Sequence, residues 1–311
     1  MQSRQRVSGN TLFIEAKGLG KYLGISNLYI KYEGTNPTGT QKDRSASLTV
    51  KRAAETGYDA IVAGSCGNYG TSIAYYAFLN NIRSVIYIPR QFHTSRLNEI
   101  EKKYGAELRL VEGKYEDAVE ASKKDARENG WFDGNAGAHP EIGLEAFSGI
   151  ASEIHRSIGS FPDTVSVPVG NGTTLAGIFQ GFLNLGRARD IDKMPRMIAA
   201  STDGGNPIIE SFRKGEKRIR DIQKERIRET ELNEPLVNYH SYDGELALNA
   251  LIASNGFAEY VTDQELLAYR DLVKKYEGID AIPAATASVA ATAKIAGRGK
   301  IDGVHVAVIT G

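Results

Sequence analysis

The sequence predicts an α/β protein of two packed domains, each a mostly parallel sheet flanked by helices. Three observations predict it. Short runs rich in Val, Ile and Tyr alternate with amphipathic stretches of 10–18 residues, the pattern of repeated βα units. Several runs end in glycine-rich turns, and the 33 glycines among 311 residues suit tight turns and close backbone approaches. No repeat, low-complexity tract or clear linker interrupts the alternation, so packed rather than tethered domains are expected.

Taken in order, Asn27–Glu33 reads as an extended segment running into a turn built from Gly34, Asn36, Pro37 and Gly39. Helical residues 43–56, a buried-type strand Asp59–Ser65 and a helix Thr71–Asn81 follow. Strand Ser84–Pro89, a charged helix Thr94–Tyr104, strand Glu107–Val111 and helix Tyr115–Asn129 complete a βαβαβα block ending near Gly137. A long helical pattern, Glu141–Ile158, opens a second unit. Strand Thr164–Val169, helix Leu175–Leu185 and strand Met197–Thr202 come next, and helices Gln264–Tyr276 and Ala285–Ala296 lead to a last strand, Val304–Ile309. Between them, residues 213–229 carry eight basic and four acidic side chains; interleaved signs without aromatics predict a solvated helix or excursion.

Composition narrows the function classes. Lys+Arg and Asp+Glu both number 38, so neither nucleic acid nor an anionic membrane is an expected partner. A single cysteine excludes an internal disulfide framework and fits a reducing, cytoplasmic setting. The opening MQSRQRVSGN carries no apolar run, and no stretch reaches the roughly 18 apolar residues of a membrane span. No H-E-x-x-H or C-x-x-C spacing exists, so no metal site is predicted.

Two stretches carry chemistry. In KYEGTNPTGTQKDRSA, residues 31–46, the turn delivers Lys42 to a helix start. Free N–H groups and the positive end of the helix dipole disfavour an ammonium there, so a lysine in that place can act as a Schiff-base nucleophile. A surface lysine after a Gly/Pro turn would have the same local sequence. In TVSVPVGNGTTLAG, residues 164–177, a strand breaks into Gly170, Asn171, Gly172, Thr173 and Thr174 before a helix. Such a turn offers N–H groups to a phosphate, with hydroxyls of Thr173 and Thr174 as added donors. It equally describes a tight βα turn with Thr174 as N-cap. A dinucleotide reading would use Gly170, Gly172 and Gly177, with Asp203 on a ribose, although the spacing is not G-x-G-x-x-G.

Three elements in this order resemble the fold-type II pyridoxal-phosphate enzymes, the group of threonine synthase, threonine/serine dehydratase and cysteine synthase. Residues 36–44, NPTGTQKDR, resemble NPTGSFKDR, and Lys42 stands at the Schiff-base lysine. Ser65-Cys66-Gly67-Asn68 resembles the STGN loop, and Pro168-Val169-Gly170-Asn171-Gly172 the PVGN loop of threonine synthases. Gly9-Asn10-Thr11-Leu12 resembles GNTPL; Glu277-Gly278-Ile279 through Pro283-Ala284 resembles EGIxxEPASA; Ile309-Thr310-Gly311 resembles the terminal LTG.

The resemblance implies pyridoxal 5′-phosphate as cofactor, a small amino acid as substrate and a homodimer. It implies a smaller, mobile domain of residues 41–145 and a larger one combining 1–40 with 146–311. Lys42 would hold the cofactor, Asn68 would contact its ring hydroxyl, Gly170 through Thr174 would take its phosphate, and Thr310 would face its ring nitrogen. Ser65, Cys66, Gly67 and Tyr69 would border the substrate carboxylate. An uncharged partner at the nitrogen suits β- and γ-elimination over racemisation. The implied activity is that of a threonine synthase-like lyase of amino-acid biosynthesis, with a dehydratase or a β-replacement enzyme as the alternative. The departures lie on the substrate side. Tyr69 stands where Ser or Thr is usual, Gln41 replaces Phe, Ile282 replaces the glutamate of EPASA, and Ala138 and Gly143 align with the serine and arginine that grip a substrate phosphate.

Overall fold

The computed structural model describes residues 8–65, 67–91, 96–191 and 193–311. In chain order, β1 (Leu12–Glu15), α1 (Lys17–Leu23) and β2 (Leu28–Tyr32) come first. They precede α2 (Lys42–Glu55), β3 (Ala60–Gly64), α3 (Asn68–Asn80), β4 (Arg83–Pro89), β5 (Glu107–Val111), α4 (Tyr115–Asn129) and β6 (Phe132–Asp133). Next are α5 (Pro140–Ile158), β7 (Thr164–Pro168), α6 (Thr173–Arg189), β8 (Arg196–Thr202) and α7 (Pro207–Arg213). Last are α8 (Gly244–Ala253), β9 (Phe257–Val261), α9 (Asp263–Glu277), α10 (Ala287–Ala296) and β10 (His305–Ile309).

The described residues form two compact units, 8–9 with 36–142 and 10–35 with 143–311. The divisions expected from sequence, at 40/41 and 145/146, lie a few residues later, and residues 8–9 were expected with the larger domain. Two contacts explain the difference for the opening residues. The Gly9 N–H donates to Asn36 Oδ1 at 2.9 Å, and the Ser8 and Ser47 hydroxyls meet at 2.9 Å.

The first unit holds a four-stranded, wholly parallel sheet in the order β5-β4-β3-β6. Its strands alternate faces with period two. Ile61, Ala63, Ile86 and Ile88 pack with Ala46, Val50, Ile73 and Ala77 of α2 and α3. Val62, Val85 and Tyr87 pack on the other face with Ala118 and Ala126 of α4. Both faces are therefore covered, as a parallel sheet requires. The helix expected over Thr94–Tyr104 lies partly outside the described residues, and its remainder includes a π-helical turn, Glu99–Lys103. The wider turn buries Ile100 completely while Glu101, Lys102 and Lys103 stay exposed.

The second unit holds a six-stranded sheet in the order β1-β2-β10-β7-β8-β9, parallel except for the antiparallel edge pair β1–β2. Val165, Val167, Val306 and Val308 pack on one face with Phe147 and Ile150 of α5 and Ile178 and Phe182 of α6. On the other face, Ile198 and Ala200 meet Ala287, Ala290 and Ala291 of α10, while Ala307 and Ile309 meet Ala285 and Val289. The chain leaves β7 for β8 on one side, and β10 lies on the other, so strand order reverses between β7 and β10. Ligands of doubly wound sheets bind outside the carboxyl ends at such a point. Residues 213–229 form a solvated excursion with one short 3₁₀ turn, Lys224–Arg226; Glu210 pairs with Lys214 and Arg226, and Glu216 with Arg220.

Candidate active site

Lys42 is the first residue of the 14-residue helix α2 and is half-buried. The turn before it closes through a hydrogen bond from the Gly39 N–H to the Asn36 carbonyl, 2.9 Å, with Gly39 at φ +80°. Thr38 then donates its N–H and its hydroxyl to the fully buried carboxylate of Asp43, each at 2.8 Å, and Arg96 donates to the Thr38 carbonyl at 2.8 Å. Burial pushes the Asp43 carboxyl above its ordinary value, against the donors of Thr38 and Ser72 and the charge of Arg96. The Thr38 hydroxyl also meets the Ser72 hydroxyl at 2.9 Å, and Ser72 donates to the Asn68 carbonyl at 3.1 Å. These contacts tie the starts of α2 and α3 together, so Lys42 and Asn68 each open a helix of the same unit.

The turn from β3 into α3 is shaped by Ser65. Its hydroxyl oxygen is buried and accepts the N–H groups of Gly67 at 3.0 Å and Gly70 at 2.8 Å. Expected on the substrate carboxylate, Ser65 and the Gly67 N–H are instead committed to the loop itself. The N-cap of α3, Gly67, makes no side-chain cap, which leaves the N–H of Asn68 as a donor for an anion. The half-buried carboxamide of Asn68 has no partner among the described residues. Tyr69 packs its ring against the α2–α3 core and donates its hydroxyl to the Gly134 carbonyl at 2.7 Å. Cys66 lies outside the described residues.

In the second unit, Gly170 through Gly172 connect β7 to the 17-residue helix α6, whose N-cap is Gly172 at φ +92°. Thr173 and Thr174 are its first two residues, so the N-cap expected at Thr174 lies two residues earlier, where the positive φ favours glycine. No side chain caps this helix start. A Cβ on Gly170 would stand 2.7 Å from the Pro235 carbonyl, and one on Gly172 2.6 Å from Ala247 Cβ. The Thr173 hydroxyl, expected as a donor to phosphate, donates instead to Asp243, so Thr173 offers its backbone N–H. β7 and β10 run parallel, with Ala307 paired to Ser166, so Thr310 follows β10 at the same sheet edge where Gly170–Thr174 follow β7. The switch point thus gathers Gly170–Thr174 and Thr310. Thr310 has no side-chain hydrogen bond among the described residues.

Sequence reasoning missed the residues behind the loop. Asn206 donates to the Val169 and Gly170 carbonyls, Ser201 to Val169, and Ser241 to Gly170. Only Asn206 carried a local signal, as an N-cap followed by Pro207.

One unit offers a helix-opening lysine and the other an uncapped glycine turn at a parallel-sheet switch point, features that suit an α/β enzyme with a phosphorylated cofactor. A family model described as "Pyridoxal-phosphate dependent enzyme" matches residues 5–311, and the chain belongs to that family, of fold type II, with pyridoxal phosphate as its cofactor. It is 34% identical over 296 residues to the threonine synthase of Methanocaldococcus jannaschii, covering 94% of this chain and 71% of that protein. It is 33% identical over 309 residues to the threonine synthase of Bacillus sp. (strain ULM1), covering 98% and 83%. The fold matches processed threonine deaminase isoform 2 from Solanum lycopersicum with a TM-score of 0.79, at 18% identity and 98% and 84% coverage. The dinucleotide reading gives way to this family; Asp203, its ribose ligand, is exposed beside Arg228 at 3.7 Å. The neutral N–H donors of the 170–174 loop and the helix start behind them fit the cofactor's phosphate, and Lys42 fits its aldehyde.

Among the described residues, no helix is long and apolar enough to cross a membrane, and no cluster of His, Cys, Asp and Glu could hold a metal.

Proposed function

We propose that the protein is a threonine synthase-like lyase, releasing phosphate from the γ carbon of O-phosphohomoserine and adding water at the β carbon. The observation that carries this reading is identity of 33–34% to two threonine synthases across nearly the whole chain. When bound, the cofactor supplies an electron sink for charge developing at the substrate α carbon.

In this reading Lys42 holds the cofactor and then carries protons at the substrate α and β carbons. Its turn is locked by Thr38 and Asp43, which sets where its amine begins its reach. Asn68 orients the ring through its carboxamide. The substrate carboxylate sits against the 65–69 turn, with the N–H of Asn68 as a donor. The N–H groups of residues 170–174 hold the cofactor phosphate. Thr310 meets the ring nitrogen with a neutral hydroxyl, which keeps that nitrogen uncharged and favours elimination.

One observation favours a second reading, a serine/threonine dehydratase or β-replacement enzyme. A Cβ on Gly143 would stand 2.5 Å from Thr173 Cγ2, so the arginine that threonine synthases carry there has no room. Lys42 and the cofactor-binding residues would serve unchanged, while the substrate would be serine, threonine or an O-activated serine, whose leaving group departs from the β rather than the γ carbon.

The deciding experiment supplies O-phosphohomoserine, serine and threonine separately to the holoenzyme. Phosphate released with threonine formed supports the first reading; 2-oxo acid from serine or threonine supports the second. A Lys42→Ala protein that keeps both the wild-type visible absorption and turnover would overturn both.

A further inference from the structure

We propose that Asn206 is a positioning residue for the cofactor-phosphate loop, fixing which face of the loop presents N–H groups. This rests on the reading that residues 170–174 hold the phosphate. Asn206 is fully buried at the N-cap of α7, where its Oδ1 accepts the N–H groups of Ile208 at 3.0 Å and Ile209 at 3.4 Å. Two backbone donors fix its amide orientation, because only oxygen can face them. Its Nδ2 therefore points the other way, toward the carbonyls of Val169 at 3.2 Å, Gly170 at 3.1 Å and Leu236 at 3.0 Å.

That contact decides the direction of the loop's peptides. In a trans peptide the C=O and the following N–H point opposite ways. With the carbonyls of Val169 and Gly170 drawn onto Asn206, the N–H groups of Gly170 and Asn171 face away from it. They continue the row of donors that begins α6. Consecutive N–H groups turned to one side form an anion-binding concavity.

A second consequence runs through side chains. Asn206 Nδ2 also donates to Asn238 Oδ1 at 3.2 Å, and Asn238 Nδ2 donates to Asn171 Oδ1 at 3.1 Å. The far end of this relay is anchored too, since the Tyr242 N–H donates to Asn171 Oδ1 at 3.3 Å. Backbone donors at both ends leave one assignment for all three amides. Asn171 is thereby fixed with its oxygen toward the relay and its NH₂ as the donor end. Residues 171, 206 and 238 lie far apart in sequence, and the loop's polarity depends on all of them.

The test compares pyridoxal 5′-phosphate with pyridoxal, which lacks the phosphate, as ligands of the full-length apoenzyme, followed by visible absorption. Asn206→Asp keeps the oxygen that caps α7 and replaces the amide donor with an acceptor facing three carbonyls. We expect it to weaken pyridoxal phosphate by at least about tenfold, the scale of one lost hydrogen bond, and to leave pyridoxal within about twofold. Asn238→Ala, which spares Asn206, should weaken pyridoxal phosphate several-fold with the same selectivity, and it serves if Asn206→Asp does not fold. Equal weakening of both ligands, or no weakening of the phosphorylated one, overturns the positioning role. A wild-type protein that binds pyridoxal as tightly as pyridoxal phosphate overturns the phosphate-loop reading and this proposal with it.

Discussion

Thr38 donates both its backbone N–H and its hydroxyl to Asp43, each at 2.8 Å, across the turn that ends at Lys42. A fully buried carboxylate immediately after the proposed cofactor lysine is thereby held by the residue five before it.

The first prediction follows from that buckle. Thr38→Val removes the hydroxyl donor and keeps the shape, and near neutral pH it should cost about 1–3 kcal/mol of stability in urea unfolding. Burial holds the Asp43 carboxyl above its ordinary value of 3.8, so the folded protein binds that proton more tightly than the unfolded chain. The stability Asp43 contributes is fully present below 3.8 and is lost as pH rises through the folded value. Losing a donor to the charged form deepens that loss, so the cost of Thr38→Val should shrink as pH is lowered toward 3.8. A cost independent of pH would show that Asp43 is not what Thr38 serves.

Tyr69→Phe tests the contact at the mouth of the β3–α3 turn. The hydroxyl donates to the Gly134 carbonyl at 2.7 Å, and its loss should lower stability by about 0.5–1.5 kcal/mol. Cofactor retention on dialysis should be unchanged, because the ring still packs against the same core. Loss of cofactor in this variant would give the hydroxyl a direct part in the site.

What could be read from the sequence, and what could not, divides by sequence separation. The helix start at Lys42 and the turn at 170–174 are local, written in Gly, Pro and Asn within a few residues of each other. Strands such as Ala60–Gly64 were legible because they are buried on both faces and read as continuous apolar runs. Asn206 bonds the Gly170 carbonyl from 36 residues away and Ser241 from 71, and no periodicity records such pairs. Tyr69 was read as bordering the substrate, while the partner of its hydroxyl, Gly134, lies 65 residues on. Thr173 was read as a phosphate donor because its neighbours in sequence suggested it, while Asp243, 70 residues away, takes its hydroxyl. The strand Leu12–Glu15 and helix Lys17–Leu23 were not foreseen: both are short, and the strand finds its place only by pairing with Leu28–Tyr32.

Gly172→Ala separates strain from function at the phosphate loop. Its φ of +92° is unfavourable for alanine, and the new Cβ would meet Ala247 Cβ at 2.6 Å and Ile208 Cδ1 at 2.8 Å. A stability loss of about 1–3 kcal/mol is expected, with faster release of pyridoxal phosphate on dialysis. Gly278→Ala is the control. Its φ is +68° and nothing lies within 4 Å of its Cβ, so it should cost stability through backbone strain alone and retain cofactor as the wild type does. Equal cofactor release from both variants would mean that the loop's geometry is not specifically required.

His305 gives the second unit a pH dependence of opposite sign. It is 3% exposed at the start of β10, with Nδ1 at 2.9 Å from the Thr164 hydroxyl of β7. Burial holds the imidazole below its ordinary value of 6.5, outweighing the nearby charges of Asp163 and Asp302. The Asp163 field is blunted because Lys193 pairs with that carboxylate at 2.6 Å. A depressed value means that the unfolded chain takes up the proton first as pH falls. The stability His305 contributes is present above 6.5 and is lost as pH falls through the folded value. His305→Gln can keep a hydrogen bond to Thr164 without titrating, so unfolding free energy measured downward from pH 6.5 should fall less steeply than in the wild type. Identical slopes would mean that the imidazole is protonated as readily in the folded sheet as in the unfolded chain. Because β10 and β7 carry Thr310 and Gly170 at their other ends, cofactor retention at acid pH should improve in the same variant.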